Sequence, residues 1–227
     1  MKRMSFLLLI LLVAAPAFAD ALKEGQEKLS YAIGMSIGSD LLRQEMKIDL
    51  TQLSAGLAAT YKNSDTLLTE EEMTKVLVAY QQEMQQKQAA KAAEASEANR
   101  AAGKTYLEEN AKKDGVKTTA SGLQYEVLVE GKGAVPTAAD KVTVNYRGTL
   151  VDGTEFDSSY KRGQPATFQV GGVIPGWTEA LQLMQEGGKL KLTIPPELAY
   201  GDRGAPPVIG PGSTLVFEVE LLEIVKN

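Results

Sequence analysis

Val173-Ile174-Pro175-Gly176-Trp177-Thr178-Glu179-Ala180-Leu181-Gln182-Leu183-Met184-Gln185-Glu186-Gly187-Gly188 is the stretch on which the fold turns. Trp177, Leu181 and Met184 recur at three and four residues, which predicts a short helix from about Pro175 to Gln185 with those three inward. Gly187-Gly188 ends it. On either side the period is two: Leu123, Tyr125, Val127 and Val129, then Val142, Val144 and Tyr146. The pattern returns in Leu190, Leu192 and Ile194, and again in Leu215, Phe217, Val219 and Leu221. Such alternation reads as half-buried antiparallel strands. From about Val116 onward the chain therefore predicts a curved antiparallel sheet wrapped around one short helix.

The aromatic residues add a site to that frame. Trp177 is the one Trp among five Phe and eight Tyr. Tyr146, Phe156, Phe168, Tyr200 and Phe217 fall in or at the ends of the strand-like runs, and Asp157 follows Phe156. That composition suits one apolar, aromatic-walled pocket with a carboxylate at its rim. The chain has no His and no Cys. This excludes Ser-His-Asp and Cys-His nucleophiles, His-assisted metal sites and thiol chemistry. With 24 basic against 29 acidic side chains and no basic stripe, nucleic acid is a poor partner.

Working back toward the N-terminus, the pattern turns helical. Residues 1–19 read as a secretory signal: Lys2 and Arg3, an apolar run from Phe6 to Ala15, then Ala17-Phe18-Ala19 for cleavage. The run is too short to span a bilayer stably, and no other segment is apolar enough. Residues 20–68 carry two apolar stripes, Leu29, Ile33, Ile37, Leu41 and Leu50, Leu53, Leu57. So few residues cannot bury them alone, and a second copy of the chain is the simplest partner. Thr69-Glu70-Glu71-Glu72 reads as a capping box rather than a metal site. It opens a long connecting helix over 69–115, with Gly115 as its stop. Between Gln85 and Lys104 no large apolar residue occurs, so this part is expected to cross solvent as a stalk. The whole is α+β, in at least two units.

The motifs of the C-terminal part resemble those of one family. Val144-Asn145-Tyr146-Arg147-Gly148, Gly153-Thr154-Glu155-Phe156-Asp157-Ser158-Ser159, Val173-Ile174-Pro175-Gly176-Trp177, Ala199-Tyr200-Gly201 and Thr214-Leu215-Val216-Phe217 resemble an FKBP-type peptidyl-prolyl cis–trans isomerase domain in order and spacing. The domain would occupy 116–227. The helical arm resembles the macrophage infectivity potentiator branch of Gram-negative bacteria, whose members are secreted homodimers. The resemblance implies no cofactor, proline-containing polypeptides as substrates, and a periplasmic or outer-membrane-associated location. It makes Trp177 the floor under the proline ring and Tyr146, Phe156, Phe168, Val173, Ile174, Ile209 and Phe217 the walls. The Ile174 N–H and the Tyr200 hydroxyl would bond substrate carbonyls. Asp157, held by the Tyr146 hydroxyl, would face the twisting amide. Ala166 and Ala205 stand where many relatives carry an aromatic residue and a His, and the stretch from Val170 to Val173 looks shortened. A more open pocket is expected, which leaves the affinity for the family's macrolide inhibitors undefined. Alternative readings from the same pocket are a dimeric holdase chaperone and a host-interaction virulence factor.

Overall fold

A computed structural model describes residues 25–225; the expected signal segment lies outside them. The chain divides into two compact units, one up to Met73 and one from Thr74 onward. In the first, α1 (Gln26–Arg43) and α2 (Leu50–Tyr61) follow the two apolar stripes. The Asp49 carboxylate caps α2, accepting from the Thr51 N–H at 2.8 Å and the Gln52 N–H at 3.2 Å. No residue of either helix is buried. Leu29 is 61% exposed and Leu57 57%.

Helix α3 (Glu70–Asn110) starts on the expected capping box. Thr69 Oγ accepts from the Glu72 N–H at 3.2 Å, and Glu72 returns a carboxylate to the Thr69 N–H at 2.9 Å. It ends earlier than Asp114. The Lys113 N–H bonds the Asn110 carbonyl at 3.1 Å, so the last turn tightens and unwinds before Gly115 at φ 83°.

The expectation of a stalk crossing solvent as far as Lys104 is also corrected. Ser96, Gly103 and Asn110 are buried, with Asn99, Arg100, Tyr106 and Leu107 half-buried between them. These positions share one helical face, and within the second unit that face packs on the sheet and the loop before its last strand. A Cβ on Gly103 would lie 2.2 Å from Thr214 Oγ, so only glycine allows this approach. At the far end Asn110 Nδ2 donates to Gln124 Oε1 at 2.9 Å, and Gln124 Nε2 donates to the Leu107 carbonyl at 2.9 Å. Its closest contacts are made by Gly103 and by the amide side chains of Asn99 and Asn110, which hydropathy does not register.

The sheet comprises β1 (Val116–Thr118), β2 (Gln124–Val129), β3 (Lys141–Leu150), β4 (Glu155–Ser158), β5 (Ala166–Gln169), β6 (Lys189–Ile194) and β7 (Leu215–Val225). All pairings are antiparallel, in the order β1-β2-β6-β7-β3-β4, with β5 also on β3. Between β4 and β5 lies the single turn α4 (Ser159–Arg162), and between β5 and β6 the short helix α5 (Pro175–Leu181). The concave face and α5 enclose the core, with Leu123, Val142, Val144, Val170, Leu181, Leu192, Ile194, Leu215 and Leu221 almost fully buried. Helix α5 stops at Leu181, four residues short of the expected end. The Leu183 and Met184 N–H groups bond carbonyls three residues back. Met184 stays buried, because a three-residue spacing serves a tight turn as well as a helix.

Candidate functional site

Strand β3 organises the site. Its Gly148 lies opposite Phe217 of β7 on one side and Asp157 of β4 on the other, and its Val142 faces Phe168 of β5. One strand thereby gathers side chains from three others around its own Tyr146. A Cβ on Gly148 would fall 2.6 Å from the Phe156 ring and 2.7 Å from the Phe217 ring. Its absence lets those two rings meet edge to face, 5.4 Å apart.

From the opposite side α5 inserts Trp177. Pro175 and the Ile174 carbonyl, which accepts from the Trp177 N–H at 2.9 Å and the Thr178 N–H at 3.0 Å, start the helix. The Thr178 hydroxyl ties it to the Val170 carbonyl at 2.7 Å. Trp177 is 4% exposed and meets three rings near right angles: Tyr146 at 5.1 Å, Phe217 at 5.2 Å and Phe168 at 5.8 Å. Each such pair contributes about 0.5–1.5 kcal/mol beyond its buried area, so the four rings support one another. Trp177 Nε1 is buried with no hydrogen-bond partner.

All ten residues singled out from the sequence line one cavity of about 680 Å³: Tyr146, Phe156, Asp157, Phe168, Val173, Ile174, Trp177, Tyr200, Ile209 and Phe217. Ala205 joins the lining, together with Gly172, Pro206, Pro207 and Val208, which the sequence reading had not assigned. Ala166 packs against the core from β5 but is not part of the lining.

The rim carries one charged cluster. The Tyr146 hydroxyl donates to Asp157 Oδ2 at 2.5 Å. Arg162 Nη1 binds Asp157 Oδ1 and Nη2 donates to the Tyr146 oxygen at 2.7 Å, its guanidinium stacked over the Tyr146 ring at 5.3 Å. Burial pushes the Asp157 carboxyl up, but the Tyr146 and Arg162 hydrogen bonds outweigh it and hold the group below its ordinary value. Burial and the bond to Asp157 push the Tyr146 phenol up. The pair is thus fixed as phenol and carboxylate at neutral pH. Arg162 was missed in the sequence. Its available signal was a turn of helix bracketed by the Ser158 cap and Gly163 at φ 73°, which places residue 162 beside residue 157.

Such a cavity offers apolar walls, a few directed polar groups and one fixed negative charge. Among the described residues no cluster of three or more acidic side chains could hold a metal ion.

Comparison with known proteins gives this geometry a context. Residues 133–222 match the model of the FKBP-type peptidyl-prolyl cis-trans isomerase family, and residues 26–127 that of the domain amino terminal to FKBP-type peptidyl-prolyl isomerase. The chain is 48% identical to the peptidyl-prolyl cis-trans isomerase Mip of Coxiella burnetii over the full length of both proteins. It belongs to the FKBP-type peptidyl-prolyl cis–trans isomerases. Within them it falls in the Mip and FkpA branch. FkpA of Escherichia coli is 46% identical over 90% of this chain and 77% of the relative. The crystal structure of that FkpA superposes with a TM-score of 0.69, covering 90% of this chain and 98% of that one. The outer membrane protein MIP of Legionella longbeachae is 43% identical over 92% of this chain and 89% of its own. As an FKBP-type isomerase the protein is an enzyme acting on proline-containing polypeptides. Among the described residues no helix is long and apolar enough to cross a membrane.

Proposed function

We propose that this isomerase accelerates Xaa-Pro rotation in folding, exported proteins by seating the proline on Trp177, without covalent chemistry. The supporting observation is the common cavity lined by all ten residues, with Trp177 at the centre of its aromatic cage. Rotation about the tertiary amide faces a barrier of about 18–20 kcal/mol, because twisting removes amide resonance. The planar amide is more polar than the twisted one. A pocket that strips water therefore disfavours the ground state more than the transition state. Tyr146, Phe156, Phe168, Val173, Ile174, Ile209 and Phe217 act as walls. The Ile174 N–H and the Tyr200 hydroxyl hold substrate carbonyls. Asp157, kept ionised by Tyr146 and Arg162, sets a fixed charge beside the twisting bond. A rate gain of roughly 10⁵ needs only about 7 kcal/mol from these effects together.

The division of labour follows the same reading: 20–68 for dimerisation, 69–115 for connection and 116–227 for isomerisation. Homodimerisation is supported by the uncovered apolar rows of α1 and α2. Export is supported by the signal-like start, and one relative is named an outer membrane protein. Macrolide binding is supported by the apolar lining alone. The decisive assay follows turnover of a short Xaa-Pro peptide. Trp177→Ala and Asp157→Ala should each lower kcat/KM by about tenfold or more, a loss of at least about 1.4 kcal/mol in transition-state binding. Unchanged turnover in folded variants would remove the assigned roles.

A further inference from the structure

The loop from Tyr200 to Gly212 forms one wall of the cavity through Tyr200, Ala205, Pro206, Pro207, Val208 and Ile209. Apart from the short turn Gly201–Arg203 it has no helix or strand of its own. It is closed internally: the Gly212 N–H donates to the Gly201 carbonyl at 2.9 Å, and Ala205 and Ile209 exchange backbone bonds at 2.8 and 3.1 Å. Among the described residues, the hydrogen bonds that join this loop to any other element all involve α3.

Ser96 and, one turn further on, Asn99 and Arg100 supply them. The Ser96 hydroxyl donates to Asp202 Oδ1 at 2.8 Å, and Asn99 Nδ2 donates to the Pro211 carbonyl at 2.8 Å. Arg100 donates from Nε at 3.1 Å and Nη2 at 2.9 Å to Asp202 Oδ1, and its Nη1 reaches Glu197 at 2.5 Å. The backbones also touch. Gly212 sits at φ 69°, and a Cβ there would lie 2.7 Å from the Ser96 carbonyl oxygen. One side of the loop therefore faces the cavity and the other is fastened to the helix.

We propose that α3 is a working part of the isomerase site. Ser96, Asn99 and Arg100 are positioning residues that hold the Tyr200–Gly212 wall at the width a prolyl peptide needs. Releasing the loop leaves the Trp177 cage and the Asp157 cluster in place, so substrate binding weakens while the bound amide still turns over. The inference rests on the cavity being the substrate site.

The experiment uses the full chain and two readouts: steady-state turnover of a proline peptide, and titration of the same peptide against the fluorescence of Trp177, the chain's one tryptophan. Arg100→Gln and Asp202→Asn should each raise KM and Kd about three- to fivefold, the scale of a networked but exposed ion pair, with kcat within twofold. The double variant should lose less than the sum of the two single losses, since the Arg100–Asp202 contact is shared by both while the Glu197 and Ser96 contacts are not. Arg100→Lys should recover part of the loss, because an ammonium replaces the charge but not the forked donors. Lys104→Gln, one turn further along the helix, should change nothing. Unaltered KM and Kd in both single variants, additive losses in the double, or an equal effect from Lys104→Gln would overturn the proposal. Were the cavity not the substrate site, the unmodified protein would show no Trp177 response at all, which separates that failure from this one.

Discussion

The two units spend their apolar residues in opposite ways. In the second unit the inward Leu, Ile, Val and Phe positions of β3, β6 and β7 are covered by the concave sheet, α5 and the loop packed against them, and Leu192 and Ile194 are almost fully buried. In α1 and α2 equally regular stripes of Leu and Ile are left without burial among the described residues. Regular spacing specifies that a face exists. Whether the same chain supplies the cover is a separate question, and large uncovered faces mark association surfaces.

The sharpest way to break this contrast is to remove one side of it. A chain starting at Thr74 should run as a monomer in light scattering, with a little over one third of the mass of the dimeric mature protein, yet turn over a short Xaa-Pro peptide within about twofold of the parent per head. The same number of chains per particle before and after truncation would mean that the stripes are not a dimer contact. A finer contrast comes from matched truncations of one side chain. Leu192→Ala should cost about 2–5 kcal/mol in denaturant unfolding, whatever the protein concentration. Leu57→Ala should leave unfolding of the catalytic unit unchanged and show itself as dissociation at higher protein concentration in dilution series. The smallest effect concerns pH. Asp157 is held below its ordinary range and Tyr146 above its own, so neither changes charge near neutrality. Activity should stay within about twofold from pH 6 to 9. The stability that ionised Asp157 contributes is present above the unfolded-state value near 4 and is lost as pH falls through the lower folded value. A bell-shaped profile with neutral midpoints would contradict this assignment.

Much of the catalytic unit was legible because its signals are large. A period of two in β3, β6 and β7 fixes which residues face inward, and the aromatic ones among them meet at Trp177 because α5 crosses that face. The docking of α3 escaped notice for a physical reason: Ser96, Asn99, Gly103 and Asn110 attach the helix by hydrogen bonds and close approach, not by apolar area. A face of small and amide residues at positions 96, 99, 103 and 110 was present in the sequence, but it resembles a solvated one. Arg162 was hidden differently. Its role depends on α4 being a single closed turn, and four residues carry too little periodicity to announce a helix.

The contact between Gly103 and Thr214 has a practical corollary for protein engineering. Anyone grafting the catalytic head onto another scaffold would choose the turn at 111–115 as the seam, since the strands begin there. Cutting at that point would strip Gln124 and Thr193 of their amide partner and leave the 200–212 loop without its fastening. The smallest portable head instead begins inside the helix, upstream of Ser96, and carries its own handle.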